Sequence, residues 1–311
     1  MEEKEAGAQL FDLCRRHGIR EQTFHRSKAK FGGIDFNEAR RRKQLEDENR
    51  WLQHLVADLT LDPEKVATVR IRFLGSGDAF GSGGRLQTCI LMESGSVRCL
   101  IDCGASSLIA LKQAAVDPND IDTILITHLH GDHFGGIPFL VLDGQFSRRS
   151  RRLRVVGPPG LTDRVTQAME VFFPGSARAQ RKFETEFVEL VEGTPSFVDP
   201  LRVTPYGVIH ACGAPPYALR VELDGRTIVY SGDTEWTERL VPAVAGADLF
   251  ISEAYFYDKP VRFHLDYATL MQHRSQLDCK RLIITHMGPD MLAHVAELPV
   301  EAAHDGLEVS L

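Results

Sequence analysis

The 311-residue sequence contains no run approaching the roughly 18–20 consecutive apolar residues of a membrane-spanning helix, which argues against an integral membrane protein. A secretory leader is also missing, since the opening Glu2-Glu3-Lys4-Glu5 is charged where such a leader is apolar. There is no Cys-x-x-Cys pair. The six cysteines (Cys14, Cys89, Cys99, Cys103, Cys212 and Cys279) sit mostly in apolar runs, the pattern of reduced, buried thiols in a cytoplasmic protein. Positive charge is not in excess: 36 Lys and Arg face 43 Asp and Glu, and a net charge of −7 argues against a chain built wholly to bind nucleic acid or a membrane surface. The glycines Gly75, Gly77, Gly81, Gly83 and Gly84 lack the Lys and following helix of a phosphate-binding P-loop, and read instead as a flexible wall. The length suggests one large domain and one small one.

What is present is concentrated in Thr127-His128-Leu129-His130-Gly131-Asp132-His133, directly after the apolar run Ile124-Leu125-Ile126. Three imidazoles and a carboxylate within six positions are the ligand types of a borderline-soft divalent ion such as zinc. So compact a polar cluster after a buried strand would be costly without a metal or water to satisfy it. Three later residues each follow or end an apolar run, as ligands at strand ends do: His210 after Val208-Ile209, Asp233 after Ile228-Val229-Tyr230, and His286 after Leu282-Ile283-Ile284. Each alone reads equally as a capping Asp or an exposed His. With the first cluster they supply ligands for two ions.

These residues resemble the metallo-β-lactamase-fold hydrolase superfamily, through its His-x-His-x-Asp-His motif and the later His, Asp and His. The nearest resemblance is to the RNase Z-like and phosphonate-metabolism phosphodiesterase branch. It extends over roughly residues 68–311 and includes Leu74-Gly75-Ser76-Gly77, Leu100-Ile101-Asp102-Cys103-Gly104 and Ser252-Glu253-Ala254. The resemblance implies an αββα sandwich, a dinuclear centre and hydrolysis by attack of a metal-bound hydroxide. One ion would be held by His128, His130 and His210. The second would be held by Asp132, His133 and His286, with Asp233 bridging and Asp132 counted among the catalytic residues. Zinc is the expected metal, with manganese or iron as alternatives. Asp102 reads either as a residue that orients a ligand imidazole or as a strand-end turn residue.

His264, in Arg262-Phe263-His264-Leu265-Asp266, lies where the RNase Z-like branch has a His thought to protonate the leaving group; the plain alternative is a surface loop His. Two departures argue against tRNA as substrate. Ser252 stands where RNase Z carries the first His of its His-Glu-Ala-Thr stretch. The residues between His210 and Asp233 read as one hairpin turning at Asp224-Gly225, leaving no room for a tRNA-gripping arm. The expected substrate is therefore a small-molecule phosphodiester. A lactone, ester or xenobiotic aromatic compound is the alternative on the same centre. Arg148, Arg149, Arg151, Arg152 and Arg154 read either as an anion site or as a solvated connector. Phe134, Tyr217, Trp236, Tyr255, Phe256 and Tyr257 read as pocket lining or as plain core, and Cys212 as a neighbour of His210 that could touch the site.

Residues 1–66 form a separate object, ahead of a hydrolase domain at 67–311. A helix-turn-helix pattern over about 8–30 is followed by a charged helix capped by Asn37 and running to about Leu59. Leu45, Leu52 and Leu59 recur every seven residues, with Asn49 and Val56 on the adjoining seam. That spacing suits a short coiled coil and a homodimer, or a single helix packed on the main domain. Through Cys14-Arg15-Arg16-His17-Gly18-Ile19, Phe31-Gly32-Gly33-Ile34 and the Leu45–Leu52 stretch, this segment resembles the small DNA-binding product of insertion-sequence transposases. The resemblance implies a fused fragment, for which Arg26, Lys28 and Lys30 would be the phosphate contacts; it also opens a reading of the chain as a DNA-binding regulator with a hydrolase-like sensor. In the main domain, strands are expected at 71–74, 89–93, 98–102, 123–127, 154–156, 203–209, 217–223, 227–231, 249–252 and 282–285. Helices are expected near 105–115, 136–142, 161–173, 237–244 and 268–277. Pattern alone gives a mixed α/β fold.

Overall fold

The computed structural model describes residues 68–311 apart from 96, together with 41, 42, 45, 46, 48, 49, 52 and 53. Contacts divide the chain into two compact units, Met1–Val56 and Ala57–Leu311. In the first, the described positions are helical; Leu45 and Leu52 are exposed, and Arg42 pairs with Glu46 one turn on. The expected helix-turn-helix, the Asn37 cap, Leu59 and the boundary at 66/67 lie outside the described residues.

The second unit is built on two seven-stranded sheets. One contains β1 (Arg70–Gly75), β2 (Cys89–Ser94), β3 (Val97–Ile101), β4 (Thr123–Leu125), β5 (Leu153–Gly157), β6 (Thr185–Glu189) and β14 (Glu308–Ser310), in the order β14-β1-β2-β3-β4-β5-β6. The other contains β7 (Ser196–Val198), β8 (Leu201–Gly207), β9 (Tyr217–Leu223), β10 (Arg226–Tyr230), β11 (Leu249–Glu253), β12 (Leu282–Thr285) and β13 (Glu301–Ala302), in the order β13-β12-β11-β10-β9-β8-β7. All ten expected strands form. The edge strands β6, β7, β13 and β14 were not expected, nor was the helix Pro289–His294.

Alternation along the strands explains the layering. Ile71, Phe73, Ile90, Met92 and Ile101 face Leu219, Val221, Ile228, Ile251 and Ile283 across the sandwich. Their neighbours Leu74, Leu91 and Leu100 face outward and are covered by α1 (Ser107–Gln113), α3 (Ile137–Phe146) and α4 (Leu161–Phe172). On the second sheet, Val229, Phe250 and Ile284 are covered by α5 (Leu240–Val244), α6 (Tyr267–Gln272) and α7 (Pro289–His294). Strands buried on both faces lose the polar alternation of a one-sided sheet and read as near-continuous apolar runs. The hairpin turn Asp224-Gly225 has φ of 47° and 72°, the two left-handed residues that a two-residue turn between β9 and β10 needs.

The sheets also determine where the site lies. β3, β4 and β5 run parallel in one sheet, and β10, β11 and β12 run parallel in the other. Polar residues placed just beyond the carboxyl ends of adjacent parallel strands therefore emerge together at one edge. Asp102 follows β3, His128 follows β4, Asp233 follows β10, Glu253 ends β11 and His286 follows β12.

Candidate metal centre

Three donor groups converge at this edge among the described residues: His128, His130 and His210; Asp132, His133, Asp233 and His286; and, overlapping the second, Asp233, Glu253, His264 and His286, with the donor atoms of each group within 4.8 Å of one another. His130 and Asp132 open the short helix α2 (Gly131–Phe134), which turns the chain so that residues 128, 130, 132 and 133 point into one space.

Hydrogen bonds fix which imidazole nitrogen faces inward. His128 Nδ1 lies 3.1 Å from Thr127 Oγ1, whose own proton goes to Asp102 Oδ2 at 2.8 Å. His133 Nδ1 donates to Asp102 Oδ2 at 2.6 Å, and His210 Nδ1 donates to the Phe263 carbonyl at 2.7 Å. With each Nδ1 so engaged, Nε2 is left as a lone pair directed at the cluster. Asp102, fully buried, thus acts as the orienting residue, and its Oδ1 also accepts from the Thr127 amide at 2.8 Å.

Asp233 joins the first two groups. Its Oδ1 stands 3.4 Å from His133 Nε2 and 3.6 Å from His286 Nε2, while its Oδ2 stands 3.8 Å from His128 Nε2 and 3.9 Å from His210 Nε2. Asp132 Oδ2 lies 3.2 Å from His133 Nε2 and 3.4 Å from His286 Nε2. Ligands about 2.1 Å from a tetrahedral centre are about 3.4 Å apart, so these separations suit a bound divalent ion. Buried atoms without a hydrogen-bond partner point the same way: His128 Nε2, His133 Nε2 and Asp233 Oδ1 are all among them. Leaving such atoms unpaired is expensive, and a cation in each donor group would satisfy them.

The electrostatics agree. Burial, then the neighbouring imidazole of His133, holds His128 well below the ordinary histidine value and therefore neutral. Burial also depresses His286, but Asp233, Asp132 and Glu253 outweigh it and push its pKa up to about 10. Carboxylates that protonate an imidazole this strongly make a field suited to a cation.

Backbone geometry is tight around these groups. A Cβ at Gly232 (φ 58°) would sit 3.0 Å from Thr127 Cβ and from the Tyr217 carbonyl, and one at Gly104 would sit 2.2 Å from the Asp132 carbonyl. Asp102, Phe263 and His286 adopt positive φ without being glycine. Such conformations persist where surrounding contacts over-determine them. Phe263 is held on both sides, its amide by Glu235 Oε1 at 2.8 Å and its carbonyl by His210.

His264 enters the cluster through a partner that the sequence reading did not single out. Its Nδ1 lies 2.9 Å from Glu253 Oε2 and 3.9 Å from Asp233 Oδ2. Glu253 is fully buried; Oε1 accepts from the Thr234 amide, and Oε2 stands 3.7 Å from His286 Nδ1. Burial lowers the His264 pKa, but the Glu253 carboxylate more than reverses this and raises it above the ordinary value. Glu253 closes an apolar run just as Asp233 and His286 follow theirs, which is the signal that could have found it.

Other expectations resolve differently. The loop between β1 and β2 is a pinned structure, not a flexible wall. Asp78 accepts from the amides of Phe80 and Ser82 and from Ser82 Oγ, while Asp305 accepts from Ser76 and the Leu86 amide. Arg149 is buried and donates to five carbonyls, of Pro118, Asn119, Ile121, Arg151 and Arg152. Arg151 pairs with Asp122, and Arg152 and Arg154 pair with Glu186; these arginines are connector residues, not an anion site. Cys212 turns its thiol to the Ala214 carbonyl. Burial raises the thiol pKa of Cys89, Cys99 and Cys103, as inert core thiols require. Phe134 and Tyr217 are core, Trp236 stacks on His273, and Tyr257 stacks on His294. Tyr255 borders the site, its ring centred 4.9 Å from His264 and 6.0 Å from His286. Among the described residues, no helix is long and apolar enough to cross a membrane.

Known proteins share this architecture. The chain is similar to ribonuclease Z of Bradyrhizobium diazoefficiens, 28% identical over 270 residues that cover 70% of this chain and 89% of the relative. Among solved structures it is similar to the metallo-β-lactamase fold protein YhfI from Bacillus subtilis, with TM-score 0.65, 21% identity and coverage of 79% of this chain and 100% of the other. A diphosphatase from the PhnP family follows, with TM-score 0.64, 20% identity and coverage of 78% and 98%. The α/β architecture is therefore the metallo-β-lactamase sandwich. Residues 1–57 match a transposase family, and 62 residues are 53% identical to the insertion element ISR1 10 kDa protein A3 of Rhizobium sp, covering 20% of this chain and 70% of that protein. The N-terminal segment is thus an insertion-sequence fragment. Donor set and relatives together support a metal-dependent hydrolase of the phosphodiester or nucleic-acid class. Residues 69–300 match the family described as Anti-Pycsar protein Apyc1, and the chain belongs to that family.

Proposed function

We propose that this chain is a dinuclear hydrolase of a small-molecule phosphodiester, with His264 as proton donor to the leaving group. The observation that carries the reading is Asp233, whose two oxygens face the first two donor groups separately. His128, His130 and His210 would hold one ion and Asp132, His133 and His286 the other. Zinc is favoured by the imidazole-rich set, with manganese or iron as alternatives. When bound, two such ions supply an activated water and neutralise charge developing on phosphorus. The remaining work falls to the chain. Asp102 holds the His133 ring, the Phe263 carbonyl holds His210, and Glu253 keeps His264 charged and oriented to deliver its proton. The short hairpin between His210 and Asp233 supports a small substrate.

The test is metal-loaded protein assayed against an activated phosphodiester, a phosphomonoester, a lactone and a β-lactam, each with a chelated control. The phosphodiester is expected to dominate; no turnover above the chelated control would refute the hydrolase reading.

The proposal extends to the rest of the chain, with residues 1–66 as the fused fragment and 67–311 as the hydrolase domain. A cytoplasmic homodimer is proposed with it. The dimer reading is supported by Phe146, Val171 and Phe172, which leave apolar surface exposed on α3 and α4. The transposase match favours a second reading, in which the fragment retains DNA affinity; gel shifts at two salt concentrations test it, and an absent shift refutes it.

A further inference from the structure

Phe80 is the most exposed large apolar side chain among the described residues, at 84%. It does not sit on a loose loop. The Asp78 carboxylate receives the Phe80 amide at 3.2 Å and the Ser82 amide at 2.9 Å, and Gln87 Nε2 donates to the Ala79 carbonyl at 3.1 Å. Below the tip, the Gly77 amide donates to the Leu86 carbonyl at 2.7 Å. Ordering this backbone costs conformational entropy, and leaving the ring in water forgoes its burial. An ordered backbone that presents an aromatic ring to solvent is arranged for something outside the fold.

The loop rises from the metal centre. On one side, the Ser76 carbonyl accepts from the His286 amide at 3.2 Å, next to the Tyr255 ring, which is centred 6.0 Å from the His286 ring. On the other, Gln87 Oε1 accepts from the Ala105 amide at 2.8 Å, beside Gly104, which is packed against the Asp132 carbonyl. Phe80 is two residues from Asp78, a reach of at most about 7 Å of chain. Phe146 and Val171, the next most exposed, lie on helices that carry none of the donor residues.

We propose that Phe80 is a specificity-determining residue, a platform on which a flat aromatic portion of the retained ester group stacks while the phosphate engages the donor cluster. The inference rests on the phosphodiesterase reading above. Phe80→Ala, Phe80→Leu and Phe80→Trp would be compared in metal-loaded protein by two readouts. The first is calorimetric binding of phenylphosphonate and methylphosphonate. The second is turnover of bis(4-nitrophenyl) phosphate and methyl 4-nitrophenyl phosphate. Loss of stacking is expected to weaken phenylphosphonate about ten-fold in Phe80→Ala and to raise KM for the diaryl ester similarly. Both methyl probes should change less than about two-fold, Trp should restore binding and Leu should not. Unchanged phenylphosphonate affinity in Phe80→Ala, equal losses on the methyl probes, or a wild type that binds both phosphonates alike overturns the proposal. Wild-type protein that hydrolyses neither ester would sink the hydrolase reading instead, while the phosphonate titration still decides the platform.

Discussion

Replacing His264 by Ala would test the proposed proton delivery separately from metal binding. The ring is not among the residues proposed to hold the ions; it lies 2.9 Å from Glu253 and shares the third donor group with Asp233 and His286, and its loss is expected to leave both proposed sets in place, which the metal content checks. General acid catalysis contributes about 10²–10⁴-fold, or about 3–5 kcal/mol of barrier. That contribution is needed only where the leaving oxygen cannot depart unprotonated. An alkoxide, whose conjugate acid is about as weak as water at pKa ~15.7, needs the proton, whereas an activated aryloxide does not. His264→Ala is therefore expected to lose about 10²–10⁴ in kcat on an alkyl-leaving phosphodiester and less than about three-fold on a nitrophenyl one. Glu253→Gln, which keeps an acceptor but removes the charge, should fall between. The assay is steady-state turnover of both esters, with metal content measured on the same samples. Equal losses on the two leaving groups at unchanged metal content would refute the acid role.

Four further outcomes follow from the geometry. Asp102→Asn removes the charged acceptor of His133 Nδ1 and should weaken metal affinity about 10–100-fold, read by competition with a chromophoric chelator. Gly232→Ala places a Cβ against Thr127 and the Tyr217 carbonyl at φ 58°, costing about 1–3 kcal/mol in a denaturant titration; an unchanged midpoint would contradict the clash. Arg149→Met strips five carbonyls of their donor and should destabilise by about 3 kcal/mol or more, with metal binding retained in whatever protein folds. Burial alone would raise the Asp248 pKa, but the Lys280 ammonium and the Thr227 amide outweigh it and hold it below the ordinary value. Its stabilising contribution is present above the unfolded value of about 3.9 and is lost as pH falls through the folded one. Asp248→Asn should thus lower stability at pH 7, by well under ~1 kcal/mol given the exposed Lys280, and the difference should shrink as pH falls below about 3.9.

The candidate donors His128, His210, Asp233 and His286 were legible because each stands shortly after a strand, where a polar side chain interrupts an apolar run. His128, Asp233 and His286 could be read one by one, and the parallel strands then brought them together. Glu253 carried the same signal, yet its partner His264 lies eleven positions away across a loop whose path no periodicity reveals. The rigidity of the β1–β2 loop was illegible for a stronger reason. Its clamp, Asp305, is 229 residues from Ser76, and glycine-rich composition alone reads as freedom. Edge strand β6 is half-exposed along most of its length and shows no clean alternation, while β14 alternates over only three residues, too few to stand out.

The Asp305 clamp has a consequence in time. Ser76 and Leu86 lean on a carboxylate synthesised long after His128 to His133 have left the ribosome. At about 5–20 residues per second, the interval between His128 and Asp305 is roughly 10–35 s. During that interval the first ligands exist without the loop that will flank them, and β1 lacks its outer neighbour β14. The centre therefore matures from its far end: a nascent chain carries the metal motif well before it carries a finished mouth.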